Sequence, residues 1–134
     1  MSAATRLRLA HGDEVFEVKR TIVVDDEHLM LISSWLPTAL VPELDRSRLA
    51  ETSLRQVLRS AYNLEIVRQH KEVEVTILDE EEAQILGGHP GAPAMLLTYL
   101  NLLRDGTPLE DRKMIVRGDR CKYYMDLDTP ELIL

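Results

Sequence analysis

Apolar and polar positions alternate along the first third of the chain. The segment from Glu14 to Val24 is rich in β-branched residues, and a second apolar run extends from Glu27 to Trp35. Asp25-Asp26 separates the two runs, and Pro37 ends the second. The pattern predicts an antiparallel β-hairpin, because a short polar break between two such runs is typical of a tight turn. One face of its first strand is predicted to carry Phe16, Val18, Arg20, Ile22 and Val24.

The middle of the chain has a helical period instead. Apolar residues recur there at every third or fourth position, which predicts an amphipathic helix. Thr52 or Ser53 is the expected N-cap, because a hydroxyl at that position accepts a hydrogen bond from a free backbone N–H group. A shorter helical segment is predicted over Arg6–Leu9. The apolar stripe of the main helix comprises Leu54, Val57, Leu58, Ala61 and Tyr62.

A third strand and a second helix are predicted next. Val73, Val75 and Ile77 face one way, and the other face, which carries glutamates, is expected to be solvated. Asp79 and Glu82 form an Asx variant of the capping box. The helix they begin is short and acidic and is expected to stop at Gly87-Gly88. We interpret the acidic residues as capping rather than as metal ligands, because they lack the spacing of a calcium loop.

The last part of the chain predicts strands only. Pro93–Arg104 is apolar on both faces, which is typical of a central strand, and Asp105-Gly106 predicts a hairpin turn. Pro108–Val116 is predicted to return beside it, and Cys121–Leu127 to add a final strand. The expected fold class is therefore α+β, a mostly antiparallel sheet with helices packed on one side.

The size and charge of the chain limit the classes of function that it can have. A chain of 134 residues fits a single domain, residues 1–134. Its 16 basic and 23 acidic residues give a net charge of -7, so the chain alone is not expected to grip DNA phosphates. No apolar run approaches the roughly 20 residues that cross a bilayer, and no signal peptide is recognisable, so a cytoplasmic location without membrane contact is expected.

Cysteine and histidine usage gives no sign of a metal, cofactor or disulfide site. Cys121 is the only cysteine, and we interpret it as a strand residue. The four histidines are scattered without HxH or HxxxH spacing, so surface or turn positions are expected for them. We therefore predict neither a bound metal nor a cofactor.

Four spaced motifs give the chain a family resemblance. In order they are Ser34–Pro37, Ser53-Leu54 with Tyr62-Asn63-Leu64, Glu82-Ala83 with Leu86-Gly87, and Asp105–Glu110 with Val116–Arg120. With them the chain resembles the UTRA domain of GntR-type transcription regulators of the HutC branch, which is similar in fold to chorismate lyase. The resemblance covers nearly the whole chain. It implies a domain that binds a small-molecule effector and forms a homodimer, while a separate N-terminal winged helix-turn-helix, absent here, reads the operator.

The resemblance also implies a ligand cleft between the first hairpin, the start of the main helix and the strand that bears Glu110. Arg20, Ser53 and Glu110 match family ligand positions, whereas Ile22 replaces a second arginine, Ile32 a carboxylate, Arg55 an aromatic residue and Val116 a tyrosine. The full set of candidate ligand-binding residues is Arg20, Ile22, Ile32, Ser34, Thr52, Ser53, Arg55, Glu110 and Arg112.

These residue types suit an anionic or polar ligand. Thr52 and Ser53 lie at a predicted helix N-terminus, where free N–H groups and the helix dipole favour negative charge. Arg20 can add a bidentate contact, and Glu110 can accept from hydroxyls or amines. The alternative is that Ser53 only caps the helix and that Arg20 and Glu110 form an ordinary ion pair.

Two isoleucines bear on the ligand class. Ile22 and Ile32 supply no hydrogen bonds, and each sugar hydroxyl left unpaired against them would cost roughly 1–3 kcal/mol. We therefore predict an effector less polar than an amino-sugar phosphate, such as a small organic acid.

Two other functions remain open from the sequence. The chain could be a chorismate lyase-like enzyme, although that rests on fold alone and no nucleophile with a partner base is recognisable. It could also be a dimerisation module whose cleft no longer binds a ligand. Of these three, the regulator domain without enzymatic activity is our prediction.

Overall fold

A five-stranded antiparallel sheet forms the centre of the molecule. The computed structural model describes residues 2–44, 46–50 and 52–126. Every strand pairs antiparallel to its neighbours, in the order β1-β2-β5-β4-β3. The strands are β1 (Val15–Val24), β2 (Glu27–Pro37), β3 (Arg68–Ile77), β4 (Pro93–Leu102) and β5 (Pro108–Arg117). The helices are α1 (Ala3–Arg6), α2 (Leu54–Tyr62) and α3 (Glu80–Leu86), with 3-10 turns over Thr38–Leu40, Arg46–Ala50 and Gly118–Arg120. The predicted α+β class is confirmed.

The main helix, α2, begins and ends as the pattern predicts. Ser53 is its N-cap, and the hydroxyl oxygen accepts a hydrogen bond from the Gln56 backbone N–H at 3.2 Å. Asn63 ends the helix in the left-handed conformation, with φ of 54°. Its buried stripe of Leu54, Val57 and Leu58 packs in one cluster with Val18 of β1 and Leu36 of β2.

The second helix, α3, has the complete capping box. Asp79 accepts from the Glu82 N–H at 2.8 Å, and the Glu82 carboxylate accepts from the Asp79 N–H at 3.0 Å. Gly87 ends the helix at a φ of 71°, where residues other than glycine are strained. Ala83 and Leu86 pack with Leu31 and Ile115 rather than with the α2 cluster.

The two helix clusters occupy opposite faces of the sheet. Val18 pairs with Ser34 and so shares its face, whereas Leu31 and Ile115 alternate to the other face. The prediction of helices on one side is therefore wrong. The physical reason is that β4 is largely apolar on both faces, so each face needs a cover.

The predicted final strand is also wrong. Residues 121–126 form no strand, and Leu127 lies outside the described residues. After the turn at Gly118–Arg120 the chain crosses the sheet face, where Cys121 Sγ lies 3.8 Å from Met95 Sδ. Lys71 Nζ donates to the Tyr123 hydroxyl at 3.0 Å. These contacts hold the segment by its side chains instead of by a strand ladder, so Cys121 is not a strand residue.

Two smaller differences concern the first helix and β3. The helix lies over Ala3–Arg6 rather than Arg6–Leu9, because Ser2 caps it and Arg8 leaves it at a φ of 56°. The third strand exposes its apolar face as well as its glutamate face, since it lies at the sheet edge. The central position of β4 and the Asp105-Gly106 turn are confirmed, with Gly106 at a φ of 87°. No helix in the described residues is long and apolar enough to cross a membrane.

Candidate ligand-binding site

The strand register brings six of the nine candidate residues to one face of the sheet. Arg20 pairs with Ile32, and Ser34 pairs with both Val18 and Arg112. Because alternate residues share a face, Ile22 and Glu110 lie on this face too. We call this surface the cleft face. Its candidates come from the three adjacent strands β1, β2 and β5, although they are up to 92 positions apart in the chain.

Glu110 is the centre of a buried polar network. Its side chain is fully buried, and it accepts from Asn101 Nδ2 at 2.8 Å and from Arg112 Nε at 3.2 Å. Asn101, itself buried, accepts in turn from Gln69 Nε2 at 2.8 Å. A buried carboxylate is tolerated only when it is paired and hydrogen-bonded, and these partners meet that need.

Arg20 brings a second guanidinium to the same carboxylate. Burial lowers the pKa of Arg20, the nearby charge of Arg112 lowers it further, and Glu110 acts in the opposite direction. Two guanidinium groups therefore act on one buried carboxylate, so these three side chains together carry one positive charge in excess. An additional anion on this face would remove the imbalance.

Two buried polar atoms of the cleft face have no hydrogen-bond partner among the described residues. They are Nε of Arg20 and Oγ of Ser34. Buried polar groups are nearly always paired, because each unpaired one costs roughly 1–3 kcal/mol. A donor and a hydroxyl are thus left unpaired beside the excess positive charge.

The remaining candidates differ in what they contribute. Ile32 is buried and Ile22 is exposed, so together they form an apolar wall beside Arg20. Ser53 uses its hydroxyl as the α2 cap, and the adjacent Leu54 belongs to the buried cluster with Val18, so this helix end lies beside β1 on the cleft face. Thr52 precedes it and is half-buried.

Arg55 lies away from the cleft face. Its side chain is exposed, and its guanidinium donates to the Ile66 carbonyl at 3.4 Å. That contact directs Arg55 along the outside of α2, toward the segment that leads into β3.

The sequence interpretation missed four network residues. Asn101 and Gln69 orient Glu110 through their chain of hydrogen bonds. Tyr99 lies under the Arg112 guanidinium at 5.9 Å from ring centroid to Cζ, and Lys71 Nζ lies 5.0 Å from the same centroid. The hydrogen bond to Tyr123 raises the pKa of Lys71. Tyr99 and Asn101 could have been noticed as the period-two polar positions of an otherwise apolar strand.

Asp111, the residue after Glu110, lies on the opposite face of the sheet. Asp111 is also buried, and it accepts from Arg6 Nε of α1 at 2.8 Å. Burial raises the pKa of Asp111, although the Arg6 hydrogen bond acts against that shift. Consecutive residues of β5 therefore connect the cleft face to the first helix. In the described residues no group of three or more His, Cys, Asp or Glu side chains could hold a metal ion.

Comparisons with known proteins agree with this architecture. The family model described as UTRA domain matches residues 2–122. The transcriptional repressor NagR of Bacillus subtilis is 31% identical over 125 residues, which are 92% of this chain and 51% of the relative. The repressor PhnF of Mycolicibacterium smegmatis is 27% identical over 112 residues, or 84% and 46% of the two chains. The chain spans about half the length of these curated relatives.

Solved structures share the fold at low sequence identity. The effector domain of PhnF from Mycobacterium smegmatis superposes with a TM-score of 0.82 at 24% identity, covering 94% of this chain and 77% of that one. A GntR-family transcriptional regulator from Enterococcus faecalis gives 0.85 at 18% identity, covering 92% and 88%. Since the family model spans nearly all described residues and the fold agrees, the chain belongs to the UTRA domain family.

Proposed function

We propose that this chain is the effector-binding domain of a GntR-type transcription regulator of the HutC branch, and that its effector occupies the cleft face. The observation that carries the proposal is the pair of unpartnered buried atoms, Arg20 Nε and Ser34 Oγ, beside the paired carboxylate of Glu110. In such a site a ligand gains charge-assisted hydrogen bonds without displacing internal ones.

The effector in this proposal is a small organic acid with an apolar body. Its acid group is held by Arg20 and Ser34, near the start of α2 at Thr52 and Ser53. Its body lies against Ile22 and Ile32, which offer surface but no hydrogen bonds. Arg112 is already engaged by Glu110, so one guanidinium, not two, is free for the ligand.

A thermal-shift comparison of organic acids with their neutral amides tests the proposed effector class. Aliphatic and aromatic carboxylic acids are expected to raise the unfolding temperature, and their neutral amides are expected not to. A ligand at 100 times its Kd adds about 2.7 kcal/mol to the free energy of unfolding, which is well above the resolution of the method. Strong stabilisation by a hexosamine phosphate, with none by organic acids, would contradict the proposed class.

The domain is proposed to act within a larger regulator. A two-fold homodimer of this domain would set the spacing of two winged-helix domains on a palindromic operator in the cytoplasm. With a net charge of -7, this chain would leave the phosphate contacts to those separate domains. An effector controls operator affinity only if it binds the DNA-bound and free states unequally.

We propose that the chain has no enzymatic activity. Its relatives are transcriptional repressors, and the Ser53 hydroxyl is engaged as a helix cap. Incubation with chorismate is expected to release no 4-hydroxybenzoate, and measurable release would favour the lyase alternative. Persistent dimers that bind no acid in the thermal-shift comparison would favour the ligand-free dimerisation module.

A further inference from the structure

Four sulfur-containing side chains lie together on the cleft face, and we call them the sulfur cluster. Met30 of β2 and Met95 of β4 both pair with Val116 of β5, and Met114 lies two positions before Val116 on the same face. Cys121, just past the turn that follows β5, packs against the same buried residues as these methionines. The whole chain has only five methionines and one cysteine, so four of its six sulfur atoms are gathered in one place.

The best-defined contact in the sulfur cluster is between two sulfur atoms. Cys121 Sγ lies 3.8 Å from Met95 Sδ, to which the thiol donates a weak hydrogen bond. A thiolate lies about 2.3 Å from bound Zn²⁺, and at bonds of that length two sulfurs on one ion are roughly 3.8–4.0 Å apart in tetrahedral or trigonal geometry. The two sulfurs therefore already have the separation of a chelating pair.

The other two thioethers surround this pair from the neighbouring strands. Met114 pairs with Leu97 and so lies beside the strand of Met95, whereas Met30 lies across β5 from it. Both side chains are half-buried. A methionine side chain is unbranched and turns about three bonds, so it adapts its sulfur position without a change of backbone. Met30 and Met114 can therefore supply a third and a fourth sulfur by side-chain rotation alone.

We propose that the sulfur cluster binds one Cu(I) ion through the Cys121 thiolate and the three methionine thioethers. Thiolate and thioether ligands select soft ions such as Cu(I). Binding replaces the thiol proton, which leaves to solvent, so one thiolate and one monovalent ion form a neutral unit. Zn²⁺ in the same place would leave a net positive charge on the apolar side chains beneath it, which is costly. An iron–sulfur cluster is ligated mainly by several cysteines, and this chain has one.

The proposed metal site is of a kind that the sequence could not indicate. The prediction of no bound metal considered histidine and cysteine spacing and clustered carboxylates, whereas thioether ligands from separate strands have no local spacing. The site is also distinct from the effector contacts at Arg20 and Ser34. Its nearest approach to them is Met114, which pairs with Ile32 of the apolar wall. The inference therefore does not rest on the proposed function.

Competition with a coloured chelator tests the site. Under anaerobic, reducing conditions the chain is expected to take one equivalent of Cu(I) from its bicinchoninate complex. Met95→Leu and Met114→Leu are each expected to raise the Kd for Cu(I) about 10-fold, and Cys121→Ser about 100-fold or more, because each loses one metal–sulfur bond. Leucine conserves the volume of methionine, so the fold is retained. Met125→Leu is the matched control, because Met125 is 57% exposed and lies outside the sulfur cluster.

Each other outcome of the titration would overturn the proposal. A wild-type chain that takes no Cu(I) from the chelator would refute the site. Loss of binding in Cys121→Ser with unchanged affinity in both methionine variants would indicate a simple thiol adduct, which also refutes the cluster. Circular dichroism melts verify folding, and Met30→Leu replaces any methionine variant that unfolds. Organic-acid binding is measured without copper, so its failure is distinguishable from failure of the metal site.

Discussion

Glu110→Ala is expected to lower the free energy of unfolding by roughly 3–5 kcal/mol, the range found when one partner of a buried charge pair is removed. The carboxylate is fully buried and is the acceptor for Asn101 and Arg112. Its removal leaves Arg20 and Arg112 as two close cations without a counter-ion, and leaves the Asn101 amide without its acceptor. Urea denaturation followed by circular dichroism measures the loss.

Two further variants would test whether the lost charge of Glu110, and not only its lost volume, causes the decrease in stability. Glu110→Gln retains an acceptor for Asn101 but removes the negative charge, so it should remain well below the wild type in stability. Glu65→Ala removes a carboxylate that lies 3.5 Å from Arg59 at an exposed position, and little change is expected there. A Glu110→Ala variant as stable as the Glu65→Ala control would contradict the buried network.

Arg20→Met is expected to weaken binding of the organic acid without lowering the free energy of unfolding. Loss of a charge-assisted contact should weaken organic-acid binding roughly 10- to 100-fold, by isothermal titration. Stability should stay unchanged or rise, because burial and the charge of Arg112 both disfavour the Arg20 guanidinium in the folded chain. Methionine fills a similar volume without a buried charge.

This pattern distinguishes a binding residue from a structural ion pair. If Arg20 only stabilised Glu110, Arg20→Met would lower stability and leave ligand affinity alone, which is the alternative that the sequence left open. Arg59→Met is the matched control, since Arg59 is an exposed arginine of α2 whose ion-pair partner is Glu65. It should change neither quantity.

The sequence predicted best those elements whose signal is local. The α2 cap at Ser53 and the box of Asp79 and Glu82 depend on groups within three residues, and both are present. The hairpins were equally predictable, because period-two alternation and turn residues determine them. These elements fix the register that gathers Arg20, Ser34 and Glu110 on one face.

The errors arose where distant contacts decide the outcome. The apolar pattern over Cys121–Leu127 predicted a strand, but Tyr123 and Cys121 instead contact Lys71 and Met95 through their side chains, across 52 and 26 positions. Gln69 and Asn101 were missed for the same reason, because their hydrogen bond spans 32 positions. The packing of helices on both faces of the sheet could not be predicted either, because the apolar pattern of a strand does not indicate which helix covers which face.

The crystal structure of the chain with its most stabilising acid bound tests the central claim most directly. We predict that the acid group lies within hydrogen-bonding distance of the Arg20 guanidinium and Ser34 Oγ, with the hydrogen bonds of Glu110 to Asn101 and Arg112 intact. An acid bound elsewhere, for example in the open cleft between Arg59 and Arg104, with Arg20 and Ser34 untouched, would contradict it.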